Sequence, residues 1–229
     1  IMSGSSLDGL DIAFCSIHKT DNHWRYEIPE AETLPFPESL KERLNQISSL
    51  NAEEFVILDK DLGLFIGESI NQFIKRNNLS KVDYIASHGH TAFHSPEKQY
   101  TSQIGSGAHI ASVTNIPTIS DFRTLDVALG GQGAPLVPAG DRLLFGDYMY
   151  CLNLGGYSNI SFEREGSRIA FDICPVNKAI NYLSLQLGKS FDYNGEMAKN
   201  GAVSTGLLSE LNKLAFYEKK DRKSTRLNS

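Results

Sequence analysis

One pattern occurs twice in this chain and restricts its folds more than any other feature. Residues 2–14, MetSerGlySerSerLeuAspGlyLeuAspIleAlaPhe, run a turn of small residues straight into a strand-like segment. Residues 152–162, LeuAsnLeuGlyGlyTyrSerAsnIleSerPhe, do the same, and each copy is followed by a further strand and then a helix. Two halves that each begin with a strand, a tight glycine turn and a strand indicate a duplicated domain with a cleft between the copies. The 229 residues are enough for one large domain or two smaller ones with a real core.

The segments between the copies alternate strands with helices, which indicates an α/β fold. Strands are expected at 10–16 and 23–28, where apolar and polar residues alternate. A short helix follows over 37–48. A longer helix is expected after Asn51, with an N-cap and an acidic first turn at AsnAlaGluGlu. Phe55, Leu58, Leu62, Phe65, Ile66, Ile70 and Phe73 then recur at spacings of three and four as one apolar stripe. Beyond it come a short buried strand at 82–87, a short helix at 106–115 and a strand at 117–120. Residues 121–138 are rich in Gly and Pro and read as a loop. Strands at 148–154, 158–163 and 168–172 lead into a helix from about Pro175 to Leu187, with Pro in its first turn.

The glycine turns have two readings. SerLeuAspGly suits a plain hairpin turn. Alternatively, a Gly/Ser turn leaves backbone N–H groups converging on an anion. Gly4 and Gly9 would then permit unusual backbone angles and close approach, while Ser3, Ser5 and Ser6 would donate to phosphate oxygens. Asp8 and Asp11 fit beside a phosphate when a cation lies between. The Gly155-Gly156 turn in the second copy favours the anion reading. No GxxxxGK[ST] or GxSxG motif is present, and GlyGlyGlnGlyAlaPro does not open a helix after a strand as a dinucleotide fingerprint must. His88, His90 and His94 cluster in SerHisGlyHisThrAlaPheHis without a Cys or an HExxH motif. A strand end donating to a polar ligand explains them better than a metal site. Asp172, in AlaPheAspIleCysProValAsn, stands at a strand end before a helix. It reads equally as a general base at a cleft or as a helix N-cap.

Several of these stretches resemble one family. MetSerGlySerSerLeuAspGlyLeuAsp is similar to the first phosphate loop, M-S-G-T-S-L-D-G-x-D, of the anhydro-N-acetylmuramic acid kinases, with Ser5 in place of Thr. SerHisGlyHisThrAlaPheHis resembles their C/S-H-G-Q-T-x-x-H segment, with His90 in place of Gln. AspPheArgThrLeuAspValAlaLeuGlyGlyGlnGlyAlaProLeuValPro (121–138) resembles the family block D-F-R-x-x-D-x-A-x-G-G-Q-G-A-P-L-V-P throughout. LeuAsnLeuGlyGlyTyrSerAsn resembles the second phosphate loop. AspIleCysProValAsn keeps Asp, Pro and Asn of D-T-G-P-G-N but has Cys174 and Val176 where the family has Gly. The resemblance covers residues 1 to about 222.

The resemblance implies duplicated ribonuclease-H-like domains of the actin/hexokinase type around a nucleotide cleft. Residues 1–138 would form the first domain with a crossover loop, and 139–222 the beginning of an incomplete second. It implies a kinase that opens a 1,6-anhydro sugar with water and phosphorylates its O6 from ATP with Mg²⁺, in peptidoglycan recycling. Asp172 would be the catalytic base. Gly4, Ser5, Ser6, Leu7, Asp8, Gly9, Leu10 and Asp11, with Gly155, Gly156, Ser158 and Asn159, would hold the phosphates. His90, Thr91, Arg123, Asp126 and Gln132 would meet the sugar, with Arg123 suited to its lactyl carboxylate. The alternatives are a non-catalytic sugar- or nucleotide-binding module of the same fold, an inactive fragment of the kinase, or a sugar kinase with another acceptor.

The remaining expectations follow from composition. A net charge of −5 argues against nucleic acid as a partner, because phosphate-backbone binding needs a positive face. The basic run at 219–226 reads as a tail. Three cysteines without C-x-x-C spacing read as reduced thiols in a cytoplasmic protein. No run of 18 apolar residues and no signal peptide is apparent, so no membrane partner is expected. A homodimer is allowed. The family's first strand should precede Met2, its sequence continues past residue 222, and residues 223–229 read as a non-native tail.

Overall fold

A computed structural model describes every residue except Ser5, Ser6, Asp8, Asn22, Pro135, 219–224 and 227–229, with backbone alone at 216, 218, 225 and 226. The chain divides into two compact units, Ile1–Leu136 and Val137–Ser229.

The first unit begins with an antiparallel meander of β1 (Met2–Ser3), β2 (Leu10–Thr20) and β3 (His23–Leu34), in the order β1-β2-β3. β3 runs well past the expected 28 and contains Pro29, which the sheet interior would exclude. The outer place of β3 tolerates it, at the register shift opposite Phe14–Ser16. Beyond β1, Ile1 N donates to Ala86 O at 2.8 Å and His88 N donates to Ile1 O at 3.0 Å. These two bonds join the meander to β4 (Ile85–Ser87), which pairs in parallel with β7 (Thr118–Ser120). β5 (His90–Ser95) and β6 (Tyr100–Ile104) form a hairpin immediately after β4; 90–95 and 100–104 carry no strong alternation that would announce it.

Helices α1 (Glu38–Asn45), α2 (Ala52–Arg76) and α3 (Gly107–Thr114) cover the strands. The α2 stripe behaves as its spacing predicts: Leu58, Leu62 and Ile66 are fully buried and Ile70 and Phe73 nearly so. Its start is fixed by a capping box, with Asn51 Oδ1 accepting from Glu54 N at 3.0 Å and Glu54 Oε2 accepting from Asn51 N at 2.9 Å. Leu10 and Ile12 of β2, Ile85, Ile104 and Ile110 complete one core with this stripe. Residues 121–138 are not wholly a loop. α4 (Thr124–Ala128) forms inside them and α5 (Val137–Leu144) begins at their end. The expectation failed because α4 is too short to show a helical period.

The second unit repeats the opening pattern. β8 (Tyr150–Leu154), β9 (Tyr157–Arg164) and β10 (Ser167–Pro175) form an antiparallel meander, and α6 (Asn177–Gln186) follows. Pro175 ends β10 and does not open the helix, whose N-cap is Val176. Shorter helices α7 (Glu196–Lys199), α8 (Thr205–Asn212) and α9 (Ala215–Glu218) precede a two-residue strand, β11 (Thr225–Arg226), on the edge of β10. No helix among the described residues is long and apolar enough to cross a membrane.

Candidate functional site

In the first unit the turn after β1 is tight. Leu7 N donates to Gly4 O at 3.2 Å, and Leu7, not a glycine, carries the left-handed φ of 54°. Leu7 and Leu10 are buried in the core, so only their backbones can meet a ligand. Gly9 is required for space: a Cβ there would lie 2.7 Å from Leu34 O. Asp11 is exposed and its Oδ1 accepts from Thr33 Oγ1 at 2.6 Å. Ser5, Ser6 and Asp8 lie outside the described residues.

Ser3 is buried beside this turn, with Oγ 3.1 Å from His90 Nδ1. Burial is the main cause that holds the His90 imidazole below its ordinary range. Thr91 follows it in β5, opposite Gln103. His94 Nδ1 lies 3.0 Å from Thr101 Oγ1. The three histidines thus have separate partners, and no cluster of three or more metal-ligating side chains occurs among the described residues.

A second group gathers around α4. Arg123, its N-cap residue, donates from Nε and Nη2 to His88 Nε2, at 3.0 and 2.8 Å. Arg123 Nη1 donates to Gly133 O at 2.5 Å. Asp126 holds the glycine loop on both sides of Gln132. Its backbone O accepts from Gly131 N at 2.7 Å, and its Oδ2 accepts from Gly133 N at 2.6 Å. A Cβ at Gly131 would collide with that carboxylate, and Gly133 has a φ of +63°. The distinctive Gly-rich block is therefore a short helix whose acidic side chain clasps the loop that follows it. His88, which the sequence grouped with His90 and His94 without an individual role, is thus the side-chain partner of Arg123. Burial is the main cause of its depressed basicity, with the Arg123 charge acting the same way and the Gly89 carbonyl opposing.

In the second unit Asp172 sits opposite Asn159 on β9, at a bulge where the register shifts before Cys174. It is exposed, and partial desolvation still raises its carboxyl above the ordinary 3.8. It stands four residues before Val176, so the N-cap reading of Asp172 does not hold. The turn between β8 and β9 packs on the start of α6: Gly156 O accepts from Val176 N at 2.9 Å and Lys178 N at 3.2 Å, and Gly155 O from Asn177 N at 3.2 Å. Ser158 is buried, with Oγ donating to Cys174 O at 3.2 Å. Gly155, Gly156, Asn159 and Asp172 are thus gathered at one end of this sheet, a carboxylate beside a glycine turn. Such a pairing can take a proton from a bound hydroxyl or water while backbone groups meet an anion.

Comparison with known proteins gives one consistent result. The sequence profile of a family described as "Anhydro-N-acetylmuramic acid kinase" matches residues 1–228. The chain is 37% identical over 237 residues to an anhydro-N-acetylmuramic acid kinase of Mannheimia succiniciproducens, covering 98% of this chain and 62% of the relative. It is 37% identical over 235 residues to the enzyme of the same name from Pseudomonas syringae pv. syringae, covering 63% of it. The similarity to that of Bacillus cereus is 36% over 243 residues, covering 64%. The chain thus spans less than two thirds of the length of these curated relatives.

Proposed function

Because this chain belongs to the anhydro-N-acetylmuramic acid kinase family, we propose that its protein opens 1,6-anhydro-N-acetylmuramic acid with water and phosphorylates O6 from ATP. The observation that carries this reading is Asp172. It is a carboxyl raised by desolvation, placed at a bulge beside the second glycine turn. A raised carboxyl is better matched to taking a proton from water than an ordinary one.

In the proposed reaction Asp172 accepts a proton from water as the oxygen forms its bond to the anomeric carbon. The bond from that carbon to O6 breaks, and O6 takes the γ-phosphoryl group as ADP leaves. The second acid of ordinary glycoside hydrolysis is then replaced by phosphoryl capture. Residues 4–11 and the turn from Gly155 to Asn159 are assigned to the phosphates, on duplicated actin-type domains flanking a nucleotide cleft. Magnesium bound to phosphates needs only one or two protein carboxylates. Asp11, exposed and with one oxygen not engaged by Thr33, suits that donor set; the ion would offset phosphate charge. Arg123, Gln132, His90 and Thr91 are assigned to the sugar, and Asp126 holds the Gln132 loop.

Asp172→Asn tests the reading in the full-length protein. Turnover should fall roughly 100- to 10,000-fold, the usual worth of a general base, while calorimetry shows the anhydro sugar still bound. Unchanged turnover would remove Asp172 from this role. A parent protein that binds the sugar without turnover would favour the binding module.

A further inference from the structure

We infer that His88 is a positioning residue for recognition of the sugar's carboxylate: it grips the side of the Arg123 guanidinium and leaves one N–H on each Nη atom for a bidentate acceptor. The inference rests on the function proposed above.

The geometry defines the protonation pattern of the ring. His88 Nδ1 lies 2.9 Å from Gly89 O. A carbonyl only accepts, so Nδ1 carries the hydrogen. In a neutral imidazole Nε2 is then the acceptor, and both Arg123 Nε and Nη2 point at it. An imidazolium would have no lone pair for these donors and would set two cations together. Burial disfavours a proton on the ring, and so does the Arg123 guanidinium, which faces His88 with its charge. Gly89 has a φ of +70°, and a Cβ there would lie 2.4 Å from Ile104 O, so the β5–β6 hairpin fixes the carbonyl that sets the tautomer.

An arginine has five N–H donors. Three are used here: Nε and one on Nη2 toward His88, and one on Nη1 toward Gly133 O. One remains on each Nη atom. That pair matches the two oxygens of a carboxylate, and holding the guanidinium by its side keeps the pair from rotating away.

The test uses the full-length protein and two substrates, the anhydro sugar acid and an analogue whose lactyl carboxylate is an amide. The parent should prefer the acid. His88→Ala should raise KM for the acid by roughly tenfold, with kcat and the amide's KM changed by less than about twofold, since only ground-state carboxylate binding is weakened. His88→Gln, whose Oε1 can accept from Arg123, should recover part of the preference. A His88→Ala protein that keeps the acid preference, or loses both substrates equally, overturns the inference while leaving the function standing. A parent that phosphorylates neither sugar overturns the proposed function and this inference with it. Should His88→Ala fail to fold, imidazole ¹⁵N spectra of the parent decide. Hydrogen on Nδ1 with Nε2 bare is expected, and hydrogen on Nε2 overturns the inference.

Discussion

His88 and His90 carry a pH signature that the fold imposes on them. Both imidazoles are held below their ordinary 6.5, chiefly by burial. A folded state that resists protonation loses stability once the unfolded chain begins to bind protons. The contribution of these rings is therefore fully present above pH 6.5 and is lost as pH falls from there through the lower folded values. A thermal-melt series in that window should show a decline, and His88→Gln should make it shallower. A decline of the same steepness in the variant would mean that His88 titrates as an ordinary ring. At this scale the sequence was partly legible. Asp172 stood out as a carboxylate at a strand end before a proline, whereas Arg123 and Asp126 were named only through the resemblance of residues 121–138 to a family block. His88 did not stand out, because its role depends on Arg123 reaching it from a distant part of the chain, and only a fold supplies that contact.

At the scale of elements, α2 was the most legible. Its seven apolar positions and its capping box both arise from residues near in sequence, so local spacing carries the whole signal. The β5–β6 hairpin and α4 were illegible because their own periods are too short to register, although β5 and β6 pair with each other. One prediction belongs here. Gly63 lies in the middle of α2, where Ala would ordinarily gain about 1 kcal/mol of helix propensity. A Cβ at this position would lie 2.8 Å from Ser106 O and 3.0 Å from Ser106 N, just before α3. Backbone atoms cannot rotate aside, and overpacking of this kind costs about 1–3 kcal/mol. Gly63→Ala should therefore lower the melting temperature, and a rise would show that α3 can shift to admit the methyl group.

The whole molecule is uneven in how its apolar surface is used. The main core is drawn entirely from the first unit, whereas Leu152, Leu154, Leu183, Leu187, Leu207 and Leu208 of the second are exposed. Slow hydrogen exchange needs buried, well-packed hydrogen bonds. Amides of α2 around Leu58, Leu62 and Ile66 should be the slowest to exchange in this chain, and those of α6 and α8 should exchange much sooner. Equal protection in the two units would contradict this distribution. The repeated meander that suggested duplication from sequence is present in both units, because a strand–glycine turn–strand signal is local. The paired connection from Ile1 to β4 was not legible, since it spans most of the first unit.

The placement of that core has a consequence for biosynthesis. Its buried members run from Leu7 to Ile110, and the partly buried side chains packed on them end at Ile116. Ribosomes deliver a chain from its N-terminus, and domains generally fold as units in that order. The first unit can thus close its interior while most of the second is still being translated, so that a nascent chain already sequesters the apolar stripe of α2 before the later leucines emerge.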